Sequence, residues 1–280
     1  MKDFPLSPAE IDAFINIAFA EDIADGDVTC DLVIDKAAKL TATMNARQEM
    51  ILAGLPIADK VFLRLDPEAV ITRHAKDGDA LKAGQAIMTI AGKAAALLSA
   101  ERTALNIVQH LSGIATLTKS YAKLIEGTGA KLLDTRKTIP GLRKLAKYAV
   151  HMGGGTNHRM GLYDAVMIKD NHIAVAGSVK AAVAAAKSTG RTDVQVECDT
   201  LEQVKEALDA GADSLLLDNM SPGMIRKARA ILGGTICCEA SGGVTLDTIR
   251  SLADTGVEYI SVGRLTQSAP AVDIGLDFAN

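Results

Sequence analysis

The chain has 280 residues, 48% of them hydrophobic and 23% charged, which are the proportions of a globular protein and not of a disordered or low-complexity one. Thirty Lys and Arg against 34 Asp and Glu leave a net charge of −4, and aromatics are 3% with no Trp. A general nucleic-acid binder is excluded, because that function needs clustered positive charge or stacking platforms, and at about 150 residues per domain the length predicts two domains or one large α/β barrel.

Cys30, Cys198, Cys237 and Cys238 show no CxxC spacing. Neither a zinc site nor a disulfide framework is expected, and the adjacent pair should point to opposite faces of a strand. No basic stretch followed by an apolar region opens the sequence, and no run nears the ~18 apolar residues of a membrane span, so the expected location is cytoplasmic.

The first helix is announced by Ser7-Pro8-Ala9-Glu10, a capping box with proline at the first helical position, followed by Ile11, Phe14, Ile15 and Ala18 at helical spacing. Strands are predicted at 40–46, 50–53, 69–73 and 87–90, with turns at Asp77-Gly78-Asp79 and Ala83-Gly84. Residues 94–111 read as a helix carrying Glu101 and Arg102, interrupted at Ser112-Gly113 before a second helix, which places a domain boundary there.

From about residue 130 the pattern becomes rhythmic. Short apolar strands are predicted at 131–134, 165–169, 194–198, 214–218, 236–239 and 259–262, alternating with amphipathic helices whose starts carry caps at Thr200 and Ser221. Right-handed βαβ repeats of this kind build either a barrel or an open parallel sheet. Nearly every strand ends in a polar or small residue: Asp134, Lys169, Glu197, Asp218, Glu239 and Gly263. Convergence of such ends on one mouth is the property of a barrel. Six strands predict an incomplete one.

Residues 131–172 hold eight Lys and Arg against three Asp, and three of the five histidines, in an otherwise acidic chain. Such a segment focuses an anionic ligand. Arg143, Lys144 and Lys147 read as the solvated face of a helix, whereas Arg136, Lys137, His158, Arg159 and Lys169, at strand ends or in a glycine loop, read as the anion site itself. A triple glycine, 153–155, could simply end a helix, but followed by Asn157-His158-Arg159 it points to backbone approach to a ligand.

Glu197 and Asp218 end neighbouring strands. They could share a divalent cation such as Mg²⁺ or stabilise a developing positive charge at a ribosyl centre, and otherwise each would pair with a nearby Lys or Arg. Ser241-Gly242-Gly243, before a helix expected near Thr245, and Gly263 lie on the last two strand ends, where barrels commonly bind phosphate. His74 and His110 read as an exposed residue and a helix-end residue.

Together DTRKTIPGLRKLAKYAV (134–150), GGGTNHRMGLYDAVMIKDNHI (153–173), ERTALN (101–106), LSGIAT (111–116), LLLDNM (215–220), EASGGV (239–244) and VGRLTQSAPAVDIGLDF (262–278) resemble the nicotinate-nucleotide pyrophosphorylase (carboxylating), or quinolinate phosphoribosyltransferase, family over nearly the whole chain. The resemblance implies an enzyme that converts quinolinate and phosphoribosyl pyrophosphate, with Mg²⁺, into nicotinate mononucleotide, pyrophosphate and CO₂ in NAD synthesis. It implies an N-terminal α/β sandwich (1–112, joined by the tail 268–280) and an open α/β barrel of about six strands (113–267). Carried over by motif, Arg136, Lys137, His158, Arg159 and Lys169 resemble the basic residues that grip the two substrates. Glu197 and Asp218 resemble the carboxylates at the ribose and the metal, touching it directly or through water, and with Lys137 they form the expected catalytic set. Ser241, Gly242 and Gly263 resemble the phosphate loops. The family's arginine in ERTALN enters a neighbouring subunit's site, which implies that role for Arg102 and a homodimer or larger assembly. Gln267 stands where many bacterial members read LTHS, so a catalytic histidine there is excluded. Two other readings of the residues are a Schiff-base aldolase using Lys169 and a non-catalytic anion-binding relative of the molybdate-transport type.

Overall fold

The capping box forms as the sequence predicts: the Ser7 hydroxyl accepts the Glu10 N–H, and the Glu10 carboxylate accepts the Ser7 N–H at 2.9 Å. In this computed structural model, which describes residues 4–278, it starts α1 (Pro8–Asp22). There follow α2 (Val28–Val33), β1 (Lys39–Ala46), β2 (Met50–Ile51), α3 (Leu55–Leu65), β3 (Val70–Arg73), β4 (Ala80–Leu81), β5 (Ala86–Lys93) and α4 (Ala94–Leu124). Then come β6 (Lys131–Leu133), α5 (Arg143–Met152), β7 (Val166–Ile168), α6 (Asp170–Ala176), α7 (Val179–Lys187), β8 (Val194–Cys198) and α8 (Leu201–Asp209). The last elements are β9 (Ser214–Asp218), α9 (Pro222–Leu232), β10 (Cys237–Ser241), α10 (Ile249–Ala253), β11 (Tyr259–Ser261), α11 (Arg264–Gln267) and β12 (Ile274–Phe278). The short α2, capped by Asp27, and α3, with Pro56 in its first turn, were not foreseen from periodicity.

The chain divides into two units, 1–119 with 140–154 and 268–280, and 120–139 with 155–267. In the first, an antiparallel sheet runs in the order β12-β1-β5-β3, and β2 pairs with β4. Ala42, Met44 and Ala46 on β1 alternate into the core, which they share with Ile87, Ile90, Phe62 and Leu97.

Packing assigns α5 to the first unit. Asp77 accepts the N–H groups of Gly54 and Leu55 and the Tyr148 hydroxyl at 2.8 Å, tying the start of α3 to α5. Lys147 is correspondingly fully buried and not on a solvated face, whereas Lys144 does lie outside, paired with Glu10. The triple glycine also proves structural at its first member. Gly153 caps α5, and a Cβ there would overlap the Ala115 carbonyl oxygen and the Thr118 side chain. A helix end and a close crossing explain it, not a ligand.

The expected break at Ser112-Gly113 is absent. α4 runs straight through, because Ser112 Oγ accepts the Ala53 N–H at 2.9 Å and Gly113 lets the backbone of Pro270 approach so closely that a Cβ would overlap its carbonyl oxygen. Glycine's cost in helix propensity is thus accepted for a backbone contact.

In the second unit six strands form one parallel sheet in the order β6-β11-β10-β9-β8-β7, with a further parallel bridge between Leu133 and Thr156. This is the incomplete barrel. In-register pairs align Glu197, Leu216 and Glu239 in one layer and Asp218 with Ser241 in the next. Since alternate residues face one side, Gln195 and Glu197, Ser214, Leu216 and Asp218, and Cys237, Glu239 and Ser241 all line the interior. Cys237 is exposed on that face and Cys238 buried on the other, as their adjacency requires. Among the described residues no helix is long and apolar enough to cross a membrane.

Gly113→Ala should destabilise the protein by about 1–3 kcal/mol, since two backbones in contact leave no rotamer to relieve the overlap. Urea denaturation measures it, and an unchanged midpoint would show that the segment after Ser268 yields freely.

Candidate active site

The carboxyl ends of the parallel strands open into a cavity of about 390 Å³. Arg136, Lys137, His158, Arg159, Lys169, Glu197, Asp218, Ser241, Gly242 and Gly263, all named from the sequence, line it. Gln267 is exposed at the end of α11 outside the lining, with its Oε1 3.6 Å from where a Cβ on Gly263 would stand. Arg102 lies exposed on α4, 4.0 Å from Glu101.

Lys137, His158 and Arg159 are each held by a local device. The 135–138 turn is pinned by Thr266, whose buried hydroxyl donates to the Lys137 carbonyl at 2.7 Å, and by the Thr135 hydroxyl, which accepts the Lys137 N–H. Gly263 leaves room for the Lys137 side chain, because a Cβ there would sit 3.0 Å from Lys137 Cδ. Asp134, fully buried, accepts the His158 N–H at 2.9 Å and the Asn157 side-chain amide at 2.7 Å, fixing the 157–159 segment. Arg159 donates to the Ala165 carbonyl at 3.1 Å and contacts Met167. Burial and the neighbouring Arg136 charge push its pKa down against the pull of Asp164. Guanidinium stays charged regardless, so two forks of like sign share one wall.

The acids are arranged differently. Glu197 forms an ion pair with Lys169, so the pairing with a nearby lysine anticipated from sequence is present. Asp218 accepts from the Asn219 amide at 2.6 Å. Asn219 has φ +53°, a left-handed conformation that asparagine tolerates, and its N–H donates to the Ser241 carbonyl at 2.9 Å. Gly242 packs on it so closely that a Cβ would lie 2.7 Å from the Asn219 nitrogen, so this glycine is dictated by the neighbouring strand end. The helix expected near Thr245 begins only at Ile249, after a turn closed by Thr248 accepting the Thr245 N–H.

Glu239 was read as a strand-end residue, but β10 continues to Ser241 and places Glu239 one layer deeper. It is 3% exposed, and its Oε2 lies 3.1 Å from His158 Nε2 and 2.9 Å from Gln195 Nε2. Burial raises its pKa, but His158, with Ser261 and Gln195, outweighs burial and holds it below the ordinary value. Glu239, Gln195, Asp134 and Asn219 are the site's supporting residues that sequence reasoning left unassigned. The cue lay in the period of two along β8 and β10, which sets Gln195 under Glu197 and Glu239 under Ser241. Beneath this layer is a second cavity of about 320 Å³, lined by Ser214, Cys237 and Tyr259 among others and sharing His158, Arg159, Met167 and Glu239 with the first.

Among the described residues there is no group of three or more His, Cys, Asp or Glu placed to hold a metal. Two carboxylates from adjacent strands in one cavity nevertheless suit Mg²⁺, a hard cation that takes one or two carboxylates and completes its shell with water and phosphate oxygens.

Residues 27–112 match the N-terminal domain and 114–277 the C-terminal domain of quinolinate phosphoribosyl transferase. The chain is 44% identical over 270 residues to a probable nicotinate-nucleotide pyrophosphorylase [carboxylating] of Bacillus subtilis (strain 168), covering 96% of this chain and 93% of that one. It is 42% identical to the nicotinate-nucleotide pyrophosphorylase [carboxylating] of Mycobacterium leprae (strain TN), covering 97% and 99%. The solved nicotinate-nucleotide pyrophosphorylase of Francisella tularensis superposes with a TM-score of 0.93 at 41% identity, over 100% of both chains.

His158→Leu should cost about 3–5 kcal/mol at neutral pH by leaving the Glu239 carboxylate buried beside an apolar group. In the unaltered protein the Glu239 pKa is depressed, so its stabilisation is present above the unfolded value of 4.5 and fades as pH falls through the folded one. In the variant burial raises that pKa, so stability declines as pH rises past 4.5. Urea denaturation from pH 4 to 8 should therefore show the two curves diverging, and parallel curves would mean that Gln195 alone satisfies the carboxylate.

Proposed function

The chain belongs to the quinolinate phosphoribosyl transferase family, and we propose that the cavity at the strand ends is where it carries out the family's reaction. It is a pentosyltransferase, a nicotinate-nucleotide pyrophosphorylase (carboxylating) of de novo NAD biosynthesis. The quinolinate ring nitrogen bonds to C1 of the phosphoribosyl group as pyrophosphate leaves. The carboxylate next to that nitrogen departs as CO₂, its electron pair stays on the ring carbon beside the positive nitrogen, and a proton takes its place to give nicotinate mononucleotide.

The observation that carries the reading is the composition of one wall: five basic side chains and three carboxylates, from loops and strands far apart in sequence, line a single 390 Å³ cavity. Arg136 and Arg159 present paired forks suited to a diacid. Lys137 and the Ser241, Gly242 and Gly263 backbone face the phosphates, with Lys169 adding donors and the His158 ring packing against the ligand. Glu197 and Asp218 lie where positive charge develops at the ribosyl carbon, and electrostatic preorganisation of this kind, with positioning, supplies the rate without a nucleophile. When Mg²⁺ is bound, Glu197 and Asp218 hold it, directly or through water, and it neutralises the pyrophosphate. Arg102, exposed on α4, completes the site of a neighbouring copy in a homodimer or larger assembly working in the cytoplasm, and Gln267 supplies a neutral donor at the rim.

The two other readings find no support. Glu197 takes the Lys169 amine into an ion pair, whereas a Schiff-base lysine must present a free amine. The matched relatives above carry enzyme names, not those of a binding accessory.

Purified protein should release labelled CO₂ from carboxyl-labelled quinolinate only when phosphoribosyl pyrophosphate and Mg²⁺ are both present, and release without either would overturn the reading. Arg136→Ala should raise KM for quinolinate by about 10- to 100-fold with little change in Tm. Unaltered kinetics would remove Arg136 from the site.

A further inference from the structure

Glu239 presents a paradox: a carboxylate, almost wholly buried on the central strand β10, lies beneath a cavity built for anions. Stability alone does not explain it. Its Oε1 is buried without a well-formed hydrogen bond, although the Ser261 side chain lies near the carboxylate, and an under-satisfied acceptor costs more than an apolar side chain of the same shape would. What the carboxylate does have is a directed contact with His158.

The ring of His158 is held at both nitrogens. Nδ1 accepts the backbone N–H of Arg159 at 2.7 Å, and an accepting ring nitrogen carries no proton. The ring proton therefore resides on Nε2, which faces Glu239 Oε2 at 3.1 Å. The same oxygen accepts from Gln195 Nε2 at 2.9 Å, which holds the carboxylate in place from the adjacent β8. At the other end of the relay, Arg159 is fixed by its backbone N–H on the imidazole and by its guanidinium on the Ala165 carbonyl.

We propose that Glu239 is a positioning residue: its carboxylate selects the Nε2–H tautomer of His158 and, through that ring, sets the backbone of Arg159 and the place of its guanidinium in the cavity. It does so from the floor, without touching substrate. This rests on the quinolinate reading only for the identity of the anion that Arg159 meets. The arrangement parallels the way an outer carboxylate orients a histidine whose second nitrogen is committed elsewhere. It gives His158 a structural task in place of a charge, since both its ring nitrogens are engaged within the protein and a ring protonated on Nε2 alone is neutral.

The test uses Glu239→Leu, which removes the acceptor, and Glu239→Gln, whose amide oxygen still accepts from Nε2–H. In protein labelled with ¹⁵N-histidine, the His158 ring should show the Nε2–H pattern in the unaltered chain and the glutamine variant, and lose it in the leucine variant. KM for quinolinate should rise about 10- to 100-fold in Glu239→Leu, as expected when a binding group is displaced by an ångström, with kcat changed by less than about threefold. Glu239→Gln should restore KM to within about threefold of the unaltered protein. If the leucine variant does not fold, Glu239→Asp, one methylene shorter, should lose the ring pattern and raise KM in the same way. A leucine or aspartate variant that lowers Tm but keeps the ring pattern and KM would overturn the proposal, as would a glutamine variant as impaired as the leucine one. Failure of the unaltered protein to turn over quinolinate would sink the functional reading, while the ring pattern would still decide whether the relay exists.

Discussion

Like charges brought onto one wall repel, and the second unit is organised around containing that repulsion. The burial of Arg159 and its proximity to Arg136 disfavour the charged form, yet guanidinium does not give up its proton, so the strain must be held by the scaffold. The parallel sheet holds it because strands of one direction deliver their carboxyl ends to one side, and side chains two residues apart on each strand face the same interior. The segments that carry these side chains are then anchored through backbone: Asp134 grips the N–H of His158, next to Arg159, and Thr266 grips the carbonyl of Lys137. A dianionic ligand relieves the repulsion, so binding energy is stored in the geometry of the free protein.

The acids divide by their partners. Glu197 and Asp218 have side-chain partners, Lys169 and Asn219, that can be exchanged for ligand or metal. Glu239, in the same layer as Glu197 but almost wholly buried, is committed to protein partners on a single oxygen. Chemistry and support thus occupy neighbouring positions on one face of the sheet, and a shift in register of one residue would turn both outward.

Much of this was legible in the sequence. Six apolar segments at a regular interval, ended by polar residues, are enough to place a mouth lined by Arg136, Lys169, Glu197 and Asp218, because alternation and chain direction leave little choice. What escaped depends on contacts between distant segments. Gly113 looks like a helix break until Pro270 is seen against it. Lys147 sits on the charged side of a helical wheel, but α5 is covered there as well. Gly153 precedes a functional-looking motif, yet its need for a bare backbone comes from Ala115 and Thr118. Glu239 was displaced by an error of two residues in where β10 ends, which moved it from the floor to the rim. Glycine and charge are ambiguous in one dimension for the same reason: each is defined by what approaches it.

The strand β12 joins the sheet of the first unit beside β1, with Gln109 on α4 donating to the Ile274 carbonyl and accepting the Val272 N–H through its own backbone oxygen. Its partner strand leaves the ribosome more than two hundred residues earlier. The amino-terminal unit therefore cannot finish folding as it emerges. Its β1 edge waits, unpaired, while every strand of the barrel is translated, so the order of assembly runs from the middle of the gene product outward, and a chaperone would find its client at that waiting edge.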